Sequence, residues 1–500
     1  MYNNRPYSIH QWRQTDCLSF TKNYYEEGMN FLSPKIHWQG VKEGKTISEF
    51  PLINYTVACL WKVFGEHEYI YRFTILFLFF TSLCFLFTVI YYYSESLLYS
   101  YFGTTLISTS PVLAYYSFSF LADVPALSFA IISLSLFFVF LNKKKTSLFY
   151  LALLCGTIAV LIKASSASVL LIIGTISLIN IFDFPKSATK NQKLFNTKLM
   201  PIISLVVSFL IILLWYKFAF LYNNKNSNGV FLMETLPIWK MKDKVIETAR
   251  LLYNVQLEMF LNKGVLIGLL LALIWLLLNL KKLNYAFVIA IVLSTISFVA
   301  FIILFYQVFN VHDYYLINNM MLPVVIIISF GNYLKNNGFN FSDKKVTILA
   351  CIVFIFNSTY CAAIIRLRNI PQDVLCKYYP FITNEEKNFF DWFHYNYENT
   401  LKPLETITPE LRRLGIKRDD IVLSFPDPSF NITLYLMDQK GYTATSESLK
   451  TDSAFIQNYK NNGVKYLIIN DINAFNDLHV NETSYTAVGS YKTITILKVN

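Results

Sequence analysis

Between residues 73 and 365 this chain repeats apolar stretches of roughly 20 residues, each long enough to cross a bilayer core of about 30 Å as a helix. Lipid offers backbone N–H and C=O groups no partners, so stretches of this kind must satisfy themselves as helices. The chain therefore reads as a mainly α, multi-pass membrane protein. Spans are expected near 73–93, 97–117, 124–142, 147–162, 166–184, 199–221, 264–280, 286–308, 316–334 and 346–365.

Alternate breaks between these spans collect lysine. The first holds Lys143, Lys144 and Lys145, and the second holds Lys186, Lys190, Lys193 and Lys198. Lys281 and Lys282 form the third, and Lys335, Lys344 and Lys345 the fourth. Positive charge marks cytoplasmic loops, so residues 1–72, the outer turns and everything after Arg366 are expected on the opposite side. Orientation and anionic headgroups account for these lysines, and the net charge of +11 therefore gives no reason to invoke nucleic acid. The seven cysteines are scattered without a CxxC pair, so no metal or disulfide framework follows.

Three regions result. Residues 1–72 form a first outer loop rich in large rings (Trp12, Phe20, Tyr24, Trp38, Trp61), for which helices lying along the outer membrane surface are expected. Phe20, Tyr24 and Cys17 recur there at helical spacing. An outer segment has to be carried across, and the polar opening after Met1 leads to the expectation of a transmembrane helix preceding this sequence. Residues 73–366 form the bundle of about ten spans. In 367–500 the apolar runs shorten to strand length, which predicts a small extracytoplasmic α/β accessory domain. Its expected elements are a capping box at Thr383 and Glu386, a helix from Thr408 closed by Gly415, strands at 421–425, 466–469 and 493–499, and helices at 430–437 (stopped by Gly441) and 454–459 (stopped by Gly463).

Five outer features carry polar chemistry. In His10-Gln11-Trp12-Arg13-Gln14-Thr15-Asp16, a helix would put Arg13 and Asp16 on one face, as an exposed ion pair or as two walls of a pocket. Glu49, in Ser48-Glu49-Phe50-Pro51-Leu52, is a lone carboxylate in a stiff apolar segment, and hydrogen bonding within its loop would also account for it. Asp123, in Ala122-Asp123-Val124-Pro125, is placed either to cap a helix or to act. Lys163 stands at the outer end of a span, where it either snorkels or meets an anion. His312-Asp313-Tyr314-Tyr315 forms an outer turn suited to phosphate or sugar hydroxyls, or to an interfacial belt.

Taken in order, HQWRQTD, EFPL, DVP, the IK at a span's outer end and HDYY resemble the GT-C membrane glycosyltransferases, in the bacterial branch that includes protein O-mannosyltransferases and lipid A aminoarabinose transferases. The resemblance covers about residues 5–330. It implies a GT-C-like bundle with interfacial outer helices and a small C-terminal α/β domain in the bacterial inner membrane, with the active site facing outward. It also implies an inverting transfer of one sugar from a polyprenyl-phosphate donor to a lipid, glycan or protein acceptor. No cofactor is implied, and a divalent metal is left open. Under the resemblance Asp16 matches the base, Asp123 and Glu49 match further acidic positions, and Arg13, Lys163 and His312, with the adjoining Asp313, Tyr314 and Tyr315, fall near the carrier phosphate and substrate. Some relatives carry a lysine in the segment matching Glu49-Phe50-Pro51, and this chain has none.

The chemistry is coherent in itself. A phosphate leaving group is a weak base, so departure needs cations rather than a general acid, and one carboxylate suffices to take the acceptor's proton. The competing readings are a transporter or flippase of lipid-linked sugars and an O-antigen ligase or polymerase. Transport would favour ionisable residues at the bilayer midplane and inverted repeats, and the sequence has neither.

Overall fold

Among the described residues, seven of the apolar runs become helices long and apolar enough to span a membrane: Glu68–Ser94, Asp123–Lys143, Ala164–Phe182, Leu199–Lys225, Tyr285–Leu304, Asp313–Asn336 and Lys344–Asn369. An eighth arises if the pair Val245–Phe260 and Lys263–Leu278, bent by 90°, counts as one span. The computed structural model describes residues 4–40, 42–184, 193–226, 231, 235–241, 244–370, 379, 382–450, 455–478 and 482–500. Lys186, Lys190, Cys376 and Ala454 lie outside them. The chain is thus a multi-pass, mainly α membrane protein with a small C-terminal sheet.

One expected span is not continuous. The run 97–117 divides into Leu97–Ser108 and Pro111–Tyr116. Pro111 cannot donate a backbone hydrogen bond and pushes Ser110 into the extended region, where its side chain caps the new helix by accepting from the Leu113 N–H at 3.5 Å. The run 147–162 forms a helix of 17 residues, Thr146–Ile162.

Two compact units are distinguished: Met1–Tyr71 with Ala219–Leu232 and Arg366–Asn500, and Arg72–Phe218 with Met233–Ile365. In the first unit the helix Leu52–Phe64 has the one-sided pattern of an interfacial helix, with Ile53, Val57, Ala58 and Trp61 buried and Val63 and Phe64 exposed. The first helix, Gln11–Glu26, does not follow the expectation of a surface-lying helix. Thirteen of its sixteen residues are buried, including Arg13, Asp16 and Lys22. Charges taken out of water need partners, and Lys22 finds Glu66 together with Glu26 at 3.3 Å.

The C-terminal part of the same unit holds a five-stranded sheet in the order β2-β1-β3-β5-β4, with β1 Val422–Phe425, β2 Gly441–Thr443, β3 Tyr466–Ile469, β4 Tyr485–Tyr491 and β5 Ile494–Val499. β1 runs parallel to β2 and β3, whereas β5 is antiparallel to β3 and β4. Alternation along β1 sends Leu423 and Phe425 to one core and Val422 to the other. The capping box at Thr383 and Glu386 is present, and Gly415 and Gly463 take positive φ. Gly441 has another role than the expected helix stop. It opens β2, where a Cβ would lie 2.1 Å from the Val422 carbonyl oxygen, and its own N–H and C=O pair with His37 O at 3.2 Å and Gln39 N at 2.7 Å. Residues 37–39 thereby extend the sheet.

Glu27, just past the first helix, joins Lys35 at 2.9 Å, Lys440 at 2.6 Å and Arg418 at 3.3 Å. Burial alone would raise its carboxyl, yet Lys440 and Lys35 hold it down to about 2. A depressed folded value stabilises fully above the unfolded value of about 4.3 and is lost as pH falls toward 2. Glu27→Gln is therefore expected to lower the melting temperature by several degrees at pH 7, about 2–4 °C for each kcal/mol lost. Thermal scans should show that deficit shrinking between pH 5 and pH 2.

Candidate active site

Helical spacing brings Arg13 and Asp16 together in the first unit, with Arg13 Nη1 3.8 Å from Asp16 Oδ2. The pair is not an exposed surface contact, since the side chains are 8% and 1% accessible. Arg13 Nη2 donates to Ser48 Oγ at 2.8 Å and to Glu49, and Ser48 Oγ donates to the second Glu49 oxygen at 2.9 Å. Glu49 is thus committed to fixing the guanidinium. The planar fork of Arg13 is held by one carboxylate while it faces another.

Asp16 is held differently. Its Oδ1 accepts from Asn431 Nδ2 at 2.7 Å, while Oδ2, fully buried, accepts no hydrogen bond among the described residues. Burial pushes the carboxyl up to about 6, against the opposing pull of Arg13 and Asn431. Such a group is ionised at neutral pH yet retains real affinity for a proton, which is what a general base requires.

The second unit gathers the other candidates. Asp123 is the first residue of the helix Asp123–Lys143 rather than its N-cap, which is Ala122. Asp123 Oδ1 lies 3.4 Å from Lys163 Nζ and accepts from Asn318 Nδ2 at 3.4 Å. Lys163 sits in extended conformation at the break between Thr146–Ile162 and the next helix, and its 17% accessible side chain turns to Asp123 instead of reaching away. Asn318 belongs to the 3₁₀ segment Asp313–Met320, so the DVP turn, the span end at Lys163 and the HDYY turn meet in one cluster. At the start of that segment Asp313 accepts from Tyr116 OH at 2.7 Å, and the ring of His312 lies against Tyr314 and Tyr315, with centroids 5.3 and 5.8 Å apart. Among the described residues no group of three or more His, Cys, Asp or Glu is placed to hold a metal ion.

No family model and no curated protein sequence matches this chain. Solved structures do. ArnT from Cupriavidus metallidurans in the apo state is similar over 99% of this chain and 95% of its own length, at 10% identity and a TM-score of 0.60. The structure of ArnT bound to undecaprenyl phosphate covers the same shares, at 10% identity and a TM-score of 0.58. The chain has the GT-C glycosyltransferase fold. The arabinofuranosyltransferase AftD from Mycobacteria matches all of this chain but 38% of its own, at 9% identity and a TM-score of 0.55.

Within this chain four partners escape a reading of the sequence: Asn431, Ser48, Asn318 and Tyr116. Ser48 adjoins Glu49 and was within reach of inspection. The other three are polar residues far along the chain from the groups they serve, separated from them by 415, 195 and 197 positions respectively.

Proposed function

We propose that this protein is an inverting membrane glycosyltransferase that moves one sugar from a polyprenyl-phosphate donor to an acceptor hydroxyl at the outer face of the membrane. The likeness of its fold to ArnT supports the class, and the lysine bias of the alternate loops supports the orientation. The observation that carries the reading is the environment of Asp16, a buried carboxylate with one oxygen anchored, the other accepting no hydrogen bond among the described residues, and a restrained arginine alongside.

Asp16 removes the acceptor's proton as the hydroxyl oxygen attacks the anomeric carbon. The bond to the carrier phosphate breaks with its electron pair leaving on phosphate oxygen. Arg13, oriented by Glu49, stabilises charge on that oxygen, and Arg is suited to it because its fork can bind two phosphate oxygens. For Lys163, in the second unit, we assign a cationic contact to a lipid-carrier phosphate, with Asp123 holding the ammonium in place. His312, Tyr314 and Tyr315 supply the rings and donors expected beside a sugar.

The test is incubation of membranes containing the protein with a panel of radiolabelled polyprenyl-phosphate monosaccharides. One label is expected to leave its carrier and appear as a single residue on a lipid, glycan or protein. Label that stays on the carrier and changes leaflet would establish transport instead, and transfer of a preassembled block would establish a ligase.

A further inference from the structure

We propose that Asn431 is a positioning residue for the base: its amide holds Asp16 Oδ1, leaving Oδ2 as the oxygen that takes the acceptor's proton. The inference rests on the reading of Asp16 as base and adds to it a residue of the C-terminal segment.

The orientation of the amide is determined by its surroundings. Asn431 is fully buried, and its Oδ1 accepts from the Trp38 backbone N–H at 3.2 Å and lies 3.3 Å from Ser19 Oγ. A backbone N–H can only donate, so the atom facing it must be the carbonyl oxygen, and Nδ2 must be the atom turned to Asp16. Ser19 is itself fixed, accepting from the His37 N–H at 2.9 Å and lying 2.7 Å from His37 Nδ1.

Local structure does not require this arrangement. Asn431 occupies the N-cap position of the short helix Ile432–Leu436, where asparagine ordinarily bonds the free N–H groups of the first turn. Here others perform that task. Ser429 Oγ accepts from Ile432 N at 2.9 Å, and Asp427 Oδ2 accepts from Thr433 N at 2.9 Å and from Thr433 Oγ1 at 2.7 Å. The Asn431 side chain is left to reach the first helix.

The electrostatic consequence follows from the groups that face Asp16. Arg13, on the same helix, and Asn431 favour its ionised form, whereas Glu49 and Asp427 oppose it along with burial. A donor to an ionised carboxylate forms a charge-assisted bond that stabilises the anion. Removing Asn431 therefore raises the pH at which Asp16 loses its proton.

The test compares pH–rate profiles of the full-length protein in membranes, using the polyprenyl-phosphate monosaccharide identified by the label panel. Asn431→Ala is expected to move the acid limb to higher pH, costing about tenfold at pH 6.5 while approaching the wild-type rate near pH 9. Asn431→Asp keeps the shape and the acceptor for Trp38 but sets a second carboxyl against Asp16, so it should displace the limb further and carries the test if the alanine variant fails to fold. A loss uniform across pH, or a wild-type limb in Asn431→Asp, overturns the positioning role. Asp16→Asn separates the two readings. If it stays active, the base assignment itself fails; if it is inactive while the limb ignores Asn431, the positioning role alone fails.

Discussion

Asp16→Asn is expected to reduce sugar transfer by about 10²–10⁴-fold, the usual contribution of a positioned general base. The variant is nearly isosteric, and its amide oxygen can still accept from Asn431, so expression and membrane insertion should persist. Stability gives the sharper control. Because the folded carboxyl is raised to about 6 from an unfolded value of about 3.9, its contribution to stability is fully present below the unfolded value and is lost as pH rises through 6. The wild type thus carries an ionised, buried carboxylate at pH 7–8 that the fold would rather protonate. Asp16→Asn should melt at the same temperature as the wild type or higher at pH 7–8, an advantage that shrinks as pH falls from about 6 to about 4. An inactive yet fully stable variant is the signature of a group kept for chemistry rather than folding. Retention of more than about a tenth of the wild-type rate removes Asp16 from the base role. The wild-type profile should also show an acid limb near pH 6.

Features set by local rules were legible from the chain itself. Run length marks a spanning helix, the threonine and glutamate of a capping box occur three residues apart, and the spacing of Arg13 and Asp16 places them on one helical face. The strand Tyr466–Ile469 and its parallel neighbour also followed from short apolar runs between breakers. Features set by distant contacts were not legible. Gly441 reads locally as a helix stop, and only the approach of the Val422 carbonyl shows why no side chain fits there. The burial of the first helix was hidden for the same reason. Its apolar residues Cys17, Phe20 and Tyr24 mark only a narrow stripe, and some of the groups that enclose its polar residues lie hundreds of positions away, as Arg418 does when its guanidinium donates to Asn23 Oδ1 at 3.1 Å. Asn431 is the extreme case, since its composition signal is that of an ordinary cap.

Lys163→Met is expected to destabilise the protein by about 3 kcal/mol, near the lower bound for breaking a buried ion pair because Lys163 keeps 17% of its side chain accessible. Asp123 would lose the cation 3.4 Å from its Oδ1 in a site it cannot leave. Asp123→Asn alone should cost less, because an amide can still accept from Asn318 and a partly accessible ammonium can find water. The informative variant is the double one. Removing both charges eliminates the buried carboxylate that has lost its cation, so thermal stability in detergent should recover most of what Lys163→Met lost. Transfer should not recover, because the proposed contact from Lys163 to the carrier phosphate is gone in both, and a lost charge-assisted bond to phosphate weakens carrier binding by about 10–100-fold. The apparent KM for the polyprenyl-phosphate sugar should therefore stay high while the melting temperature returns. If activity returns together with stability, Lys163 and Asp123 hold the helices in place and take no part in binding the carrier.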